Sequence, residues 1–141
     1  MTRDDLVGVY RGLGAENMSK DGTVTSRRAA PNSQIMYSPD GYMSVLSTRA
    51  ERNPVSQTGR MDLDDLSVEE RAEAASDIVA YAGRYEVKDG TVYHHIEMAL
   101  NPNLIGKTNV RHIHLDGDDL TLSTEPDADG NFGRIRWRRV R

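Results

Sequence analysis

The chain contains no cysteine, so it has no disulfide framework, no thiolate nucleophile and no thiolate metal ligand. It has a single tryptophan and a single phenylalanine, and only 37% of its 141 residues are hydrophobic. A solid core wants more large apolar side chains than this. A partly empty or polar-lined interior wants fewer, and so does a homodimer. No run approaches the roughly 20 apolar residues of a membrane span, and no membrane partner is expected. The opening Met1-Thr2-Arg3-Asp4-Asp5 is charged and lacks an apolar stretch, which argues against a secretory signal and for a cytoplasmic protein. Basic charge is not in excess either. A formal net charge of −4 argues against a nucleic-acid partner. The arginines do gather late, at Arg134, Arg136, Arg138, Arg139 and Arg141. Alternate spacing puts the first three on one side of a strand, which reads as an outward face.

Several enzyme patterns are absent as well. There is no glycine-rich phosphate loop, no Gly-x-Ser-x-Gly elbow and no His-Glu-x-x-His helix. Nothing in the sequence asks for a cofactor.

What is present is a series of turn signals. Asp21-Gly22, Asp40-Gly41, Asp89-Gly90, Asp116-Gly117 and Asp129-Gly130 stand between apolar-alternating runs. Asp-Gly in that setting is a strong hairpin signal. The runs themselves are rich in Val, Ile, Thr and Tyr. They lie at 6–13, 23–26, 34–37, 42–48, 84–87, 91–100, 108–115, 120–124 and 134–140. Short strands joined by hairpin turns predict an all-β fold, an antiparallel barrel of about eight to ten strands in a single domain over 1–141.

One segment departs from alternation. The spacing predicts a helix over 67–82. Ser67 and Glu70 form a capping box, and Val68, Ala72, Ala75, Ile78, Val79 and Ala82 fall on one stripe. Gly83 follows at the position where a left-handed residue ends a helix. Such a helix is expected to cover part of the barrel. The polar stretch 48–65 before it reads as a mobile loop over the barrel mouth.

Several fragments, in this order, carry a family resemblance. They are Leu6-Val7-Gly8-Val9-Tyr10-Arg11, Met36-Tyr37-Ser38-Pro39-Asp40-Gly41-Tyr42, Ala80-Tyr81-Ala82-Gly83-Arg84-Tyr85, His94-His95-Ile96-Glu97 running on to Asn101-Pro102-Asn103, and Trp137-Arg138-Arg139-Val140. Together they resemble the bacterial and fungal lipocalin-like domain family, relatives of the calycin barrels. The resemblance implies a barrel with an internal cavity, in proteins that bind or act on small organic molecules. It also implies Gly-x-Trp in the first strand, its indole packed at the barrel base under a late arginine. Here Tyr10 stands in that place, so the resemblance implies Tyr10 under Arg138 or Arg139, in a cation–π contact.

All four histidines fall in two neighbouring strand candidates, His94 and His95 in one, His112 and His114 in the next. If these strands pair, same-face residues meet. His94 shares the more apolar face with Val92, Ile96, Met98 and Leu100. Three readings stay open. Imidazoles with Glu97 are a metal-ligand set, but no third ligand falls on a defined face, and no metal is expected. One histidine, His95 or His94, is suited to general acid–base work, with Glu97 orienting it and Arg111 or Tyr42 polarising an oxygen. The third reading is ordinary wall residues. Tyr37, Tyr42 and Trp137 offer apolar bodies with polar tips. Arg49, Arg111 and His112 complete the candidate ligand-binding set, since an inward arginine asks for a carboxylate or an anionic ligand. A one-residue change of register exchanges His94 for His95 and Arg111 for His112.

Two functions follow. One is binding of a small, mainly apolar organic molecule. The other is a cofactor-free cyclase, isomerase or lyase acting on a polyketide-like or terpenoid-like substrate.

Overall fold

Each Asp-Gly pair closes a hairpin. Asp89 and Gly90 both take positive φ, 52° and 73°, which matches the twist of the strands they join. A computed structural model describes residues 1–30, 32–56 and 59–141. The strands are β1 (Gly8–Met18), β2 (Val24–Ala29), β3 (Ser33–Tyr37), β4 (Tyr42–Ser47), β5 (Val79–Lys88), β6 (Thr91–Ala99), β7 (Thr108–Asp116), β8 (Asp119–Thr124) and β9 (Phe132–Arg139). Among the described residues two α-helices accompany them, α1 (Arg3–Leu6) and α2 (Val68–Ala75), with a short 3-10 helix at Pro102–Leu104.

All pairings are antiparallel, in the order β2-β1-β3-β4-β5-β6-β7-β8-β9, and β9 returns to β1 to close the barrel. On its other edge β1 pairs with β3 through Gly8–Arg11 and with β2 from Gly14 onward. Strands β2 and β3 thus act as two halves of one interrupted partner. The result is an eight-stranded closed barrel with β2 as an extra strand, and the outer edge of β2 has no strand partner among the described residues.

One end of the barrel is sealed by tight turns and by α1. Leu6 is fully buried there, and the Tyr10 hydroxyl donates to its carbonyl at 2.8 Å. Arg139 Nη2 donates to the Tyr10 oxygen and to the Asp5 carbonyl, both at 2.6 Å, and the guanidinium lies 5.1 Å from the Tyr10 ring centre. Arg139, not Arg138, therefore covers Tyr10. Arg138 projects outward to Asp119 at 2.9 Å. Arg134 and Arg136 share that outer face and converge with Arg27 on Glu16.

Two expectations from the sequence need correction. The first strand begins at Gly8, because residues 3–6 form a helical turn whose Asp5 carboxylate accepts from the Thr2 N–H at 2.7 Å. The helix expected over 67–82 ends at Ala75. Its start holds, with Ser67 Oγ accepting from the Glu70 N–H at 3.1 Å. Ser76 then bonds back to the Ala72 carbonyl, Asp77 adopts φ 58°, and residues 79–82 belong to β5. Half of the apolar stripe is alanine, and it buries little. Pairing 79–84 with the whole of β4, from Ser47 to Tyr42, and placing Tyr81 in the interior buries more.

Helix α2 is tied to the preceding loop. Arg49 bonds Glu73, Arg52 donates to the Ala74 carbonyl, and Ser56 donates to Glu70. None of its residues lines the interior cavity. Within the loop expected over 48–65, Gln57 and Thr58 lie outside the described residues.

Candidate functional site

Above the sealed base the barrel encloses a cavity of about 340 Å³. Its apolar wall includes Ile35, Val45, Leu122, Ile135 and Trp137, and its polar lining includes Tyr81, His94, Asn109 and Arg111. Strand parity places these side chains. Val45 on β4 faces Tyr81 on β5, His94 on β6 faces Asn109 on β7, and Ile113 on β7 faces Leu122 on β8.

The central feature is a hydrogen-bonded chain through His94. Its ring is 1% exposed. The Tyr37 hydroxyl lies 2.7 Å from Nε2, and the Tyr81 hydroxyl lies 2.8 Å from Nδ1. A neutral imidazole has one donor and one acceptor nitrogen, so one tyrosine donates to the ring and the other accepts from it. Burial, reinforced by the positive charge of Arg111 and by His95, pushes the His94 pKa down to about 3. Burial also raises the Tyr37 hydroxyl well above its ordinary range. The same cause raises Tyr81, while Asn109 and Arg111 pull it the other way. All three groups are therefore neutral at physiological pH, and they work as fixed dipoles. Tyr81 is the member of the chain that reaches the cavity together with His94, and Tyr37 braces the ring from behind.

The register separates the residues singled out in the sequence. His94, Arg111, Tyr37 and Trp137 point inward. His95 points outward, its ring 41% exposed, with Nε2 3.3 Å from Glu86 and Nδ1 2.9 Å from the Thr108 hydroxyl. Glu97 is also outside, 4.0 Å from Arg84. Tyr42 lies on the outer face under the Arg84 guanidinium. His112 is outside beside Glu125 at 3.1 Å, and His114 is exposed. Arg49 is in the loop and belongs to the α2 contact. No group of three or more metal-ligating side chains comes together among the described residues.

A shift of register explains why the apolar face of β6 breaks up. Ala82 pairs with Met98 but Gly83 pairs with Ile96, so Glu97 is an extra residue. Val92, His94 and Ile96 stay inward, while Met98 is 63% exposed. Tyr81 and Asn109 were missed in the sequence. Tyr81 lay within the segment that reads as helix. Asn109 alternates with Arg111 on the inner face of β7, and that alternation is the signal that finds it once the face is known.

Comparison with known proteins agrees with this architecture. The sequence pattern of the lipocalin-like domain family matches residues 7–140. A lipocalin-like protein from Bacteroides uniformis superposes with a TM-score of 0.50 at 13% identity, covering 96% of this chain and 99% of that one. A protein of Aspergillus oryzae named 4'-hydroxy-3'-methoxypropiophenone carrier protein ppsC is 42% identical over 64 residues, which is 40% of this chain. The match spans 58% of that protein's length.

Proposed function

Because the chain belongs to the lipocalin-like domain family, we propose that its barrel interior binds a small, mainly apolar organic molecule bearing a few oxygen functions. The observation that carries this reading is the cavity itself. About 340 Å³ is lined by Ile35, Val45, Leu122, Ile135 and Trp137, together with polar groups that include Tyr81, His94, Asn109 and Arg111. Ligand pockets combine an apolar wall with a few fixed polar groups in this way. The Tyr81 hydroxyl, held by His94, is the orienting group for a ligand oxygen. The Aspergillus relative is named a carrier of a hydroxy-methoxy aryl ketone. On that likeness we take aryl ketones and phenols as the first class to test.

The same hydrogen-bonded chain supports a second reading, a cofactor-free cyclase, isomerase or lyase. In that reading Tyr81 polarises a substrate oxygen and His94 positions Tyr81. His94 is too weak a base to take a proton at neutral pH, with its pKa near 3.

Thermal-shift screening against aryl ketones, polyketides, terpenoids and fatty acids, with mass spectrometry of the recovered compound, tests both. A stabilising compound recovered unchanged supports binding. A compound recovered as an isomer or a dehydrated product supports the enzyme. No shift with any compound removes the cavity as a binding site for these classes.

A further inference from the structure

We propose that the occupant of the barrel is an organic anion, a carboxylate or an acidic phenol, whose charged oxygen is held by the Arg111 guanidinium. This inference rests on the binding role given to the cavity above and adds the charge of what it binds.

Arg111 lies in the middle of β7, across from Val92 on one side and Thr124 on the other, and it lines the cavity. Its Nη1 donates to the neighbouring Val110 carbonyl at 2.8 Å. Among the described residues no carboxylate comes within 4.0 Å of it. Two other arginines of the lining, Arg27 and Arg134, each meet Glu16 at 2.9 Å. Arg111, partly buried in the wall, has no such counter-charge among the described residues.

The lining supplies no substitute. Glu16 is the one carboxylate among the residues that line the cavity, and Arg27 and Arg134 already hold it. Arg28, across from Ala15 on β2, lines the mouth and also meets no carboxylate among the described residues. The interior is therefore positive in potential. A guanidinium withdrawn from water without a counter-charge is costly, and an anionic ligand offsets that cost. Arg111 offers a planar pair of donors suited to a carboxylate or phenolate. Asn109 and Tyr81 add donors on the adjoining inner positions, and the apolar wall around them keeps the local dielectric low. The charge of Arg111 is already felt inside, since it is one of the causes that hold His94 neutral.

Two dyes with the same ring frame test the charge. Anilinonaphthalene sulfonate carries an anionic group that N-phenylnaphthylamine lacks. Energy transfer from Trp137, the single tryptophan and a cavity-wall residue, reports whether a dye is bound to the protein. The unmodified protein is expected to bind the sulfonate at least about tenfold more tightly, the ratio that a charge-assisted hydrogen bond supports. Arg111→Met should abolish that preference while leaving the neutral dye within about twofold, and Arg111→Lys should restore part of it. Arg11→Gln, on the exposed outer face of β1, should change neither. Equal affinity for the two dyes in the unmodified protein overturns the inference without any variant, and so does a preference that survives Arg111→Met. If neither dye accepts energy from Trp137, the binding role itself falls, an outcome distinct from two dyes bound equally. Displacement by naphthoate assigns a carboxylate, and displacement by 4'-hydroxy-3'-methoxypropiophenone above its ionisation assigns a phenolate. Displacement by the methyl ester of naphthoate as strong as by the acid counts against an anion.

Discussion

The Tyr37 hydroxyl stands 2.7 Å from Nε2 of His94 where neither residue meets bulk water. That contact fixes the tilt of the ring and hands its other nitrogen to Tyr81 at 2.8 Å. Position is thus set from the sealed base upward. Tyr37 packs edge-on against Tyr85 and Tyr10, Tyr10 lies under Arg139, and Tyr81 is the end of the chain at the cavity.

The buried histidine sets a pH dependence of stability. Its folded pKa, about 3, is below the ordinary value of 6.5, so between these values the unfolded chain binds a proton that the folded chain does not. Its contribution is fully present above pH 6.5 and is lost as pH falls from there toward 3. The slope is about 1.4 kcal/mol per pH unit at most. Carboxylates with lowered pKa values, such as Asp21 and Asp118, add to the loss below pH 4 to 5, and a non-titrating variant separates them. In urea melts between pH 7.5 and 5, His94→Gln should therefore lose less stability than the unmodified protein. Parallel curves for the two would show that His94 is protonated in the fold.

The two tyrosines that flank His94 should separate stability from binding. Tyr37→Phe leaves a ring nitrogen unpaired in a dry site and should cost about 1–3 kcal/mol in denaturant melts. Tyr81→Phe leaves its nitrogen facing a cavity that admits water, so the stability cost is expected to be smaller. Its effect should instead appear in ligand affinity, weakened by about fivefold to tenfold for a ligand with an oxygen handle. Equal losses of stability with unchanged affinity would make the chain purely structural.

Much of the fold was legible because local chemistry dictates it. Five Asp-Gly turns and the alternating runs between them mark the hairpins whatever the tertiary structure does. The same cannot hold for residues 78–83, where an alanine stripe and a terminal glycine look helical locally. Pairing with β4 overrides that preference, and with it went Tyr81. Faces are legible only up to the next bulge. The extra residue at Glu97 sends Met98 outward after His94 and Ile96 have pointed in, and no feature of the sequence announces it. His94 and Arg111 were visible as candidates, but only the register separates them from His95 and His112.

Gly83 marks the place where that bulge presses on β5. A Cβ there would overlap the His95 carbonyl oxygen and sit 3.0 Å from the Glu97 nitrogen, both of them backbone atoms that cannot swing aside. Gly83→Ala is expected to cost more than about 3 kcal/mol or to prevent folding, well beyond the usual effect of a surface substitution. Soluble expression and a thermal melt decide it. A melting temperature near that of the unmodified protein would mean that β6 does not approach β5 as described.

At the base, Tyr10 and Arg139 should be energetically coupled. Arg139 donates to the Tyr10 oxygen at 2.6 Å and lies over its ring. Tyr10→Phe removes the hydrogen bonds and keeps the ring, and Arg139→Met keeps the aliphatic stem and removes the charge. A double-mutant cycle is expected to give a coupling of about 1 kcal/mol or more, typical of residues in one network. Additive losses would mean that Arg139 acts through the Asp5 carbonyl and the Asp118 carboxylate, 3.7 Å away, and not through Tyr10.

The remaining question is whether a ligand sits inside the barrel or against its arginine-rich outer face, and cavity filling answers it. Ile135 lines the cavity and is held on β9 between Ala15 and Leu122. Ile135→Trp grows a ring into space that is empty of side chains, so the fold should tolerate it, with a change in stability of about 1–3 kcal/mol at most. An interior ligand then loses its room, and affinity should fall by at least about thirtyfold, since the added ring and the ligand compete for one volume. The outer arginines Arg136 and Arg138, which do not line the cavity, keep their places in such a variant. A ligand that binds through them would bind as before, and titration calorimetry on the folded variant tells the two sites apart.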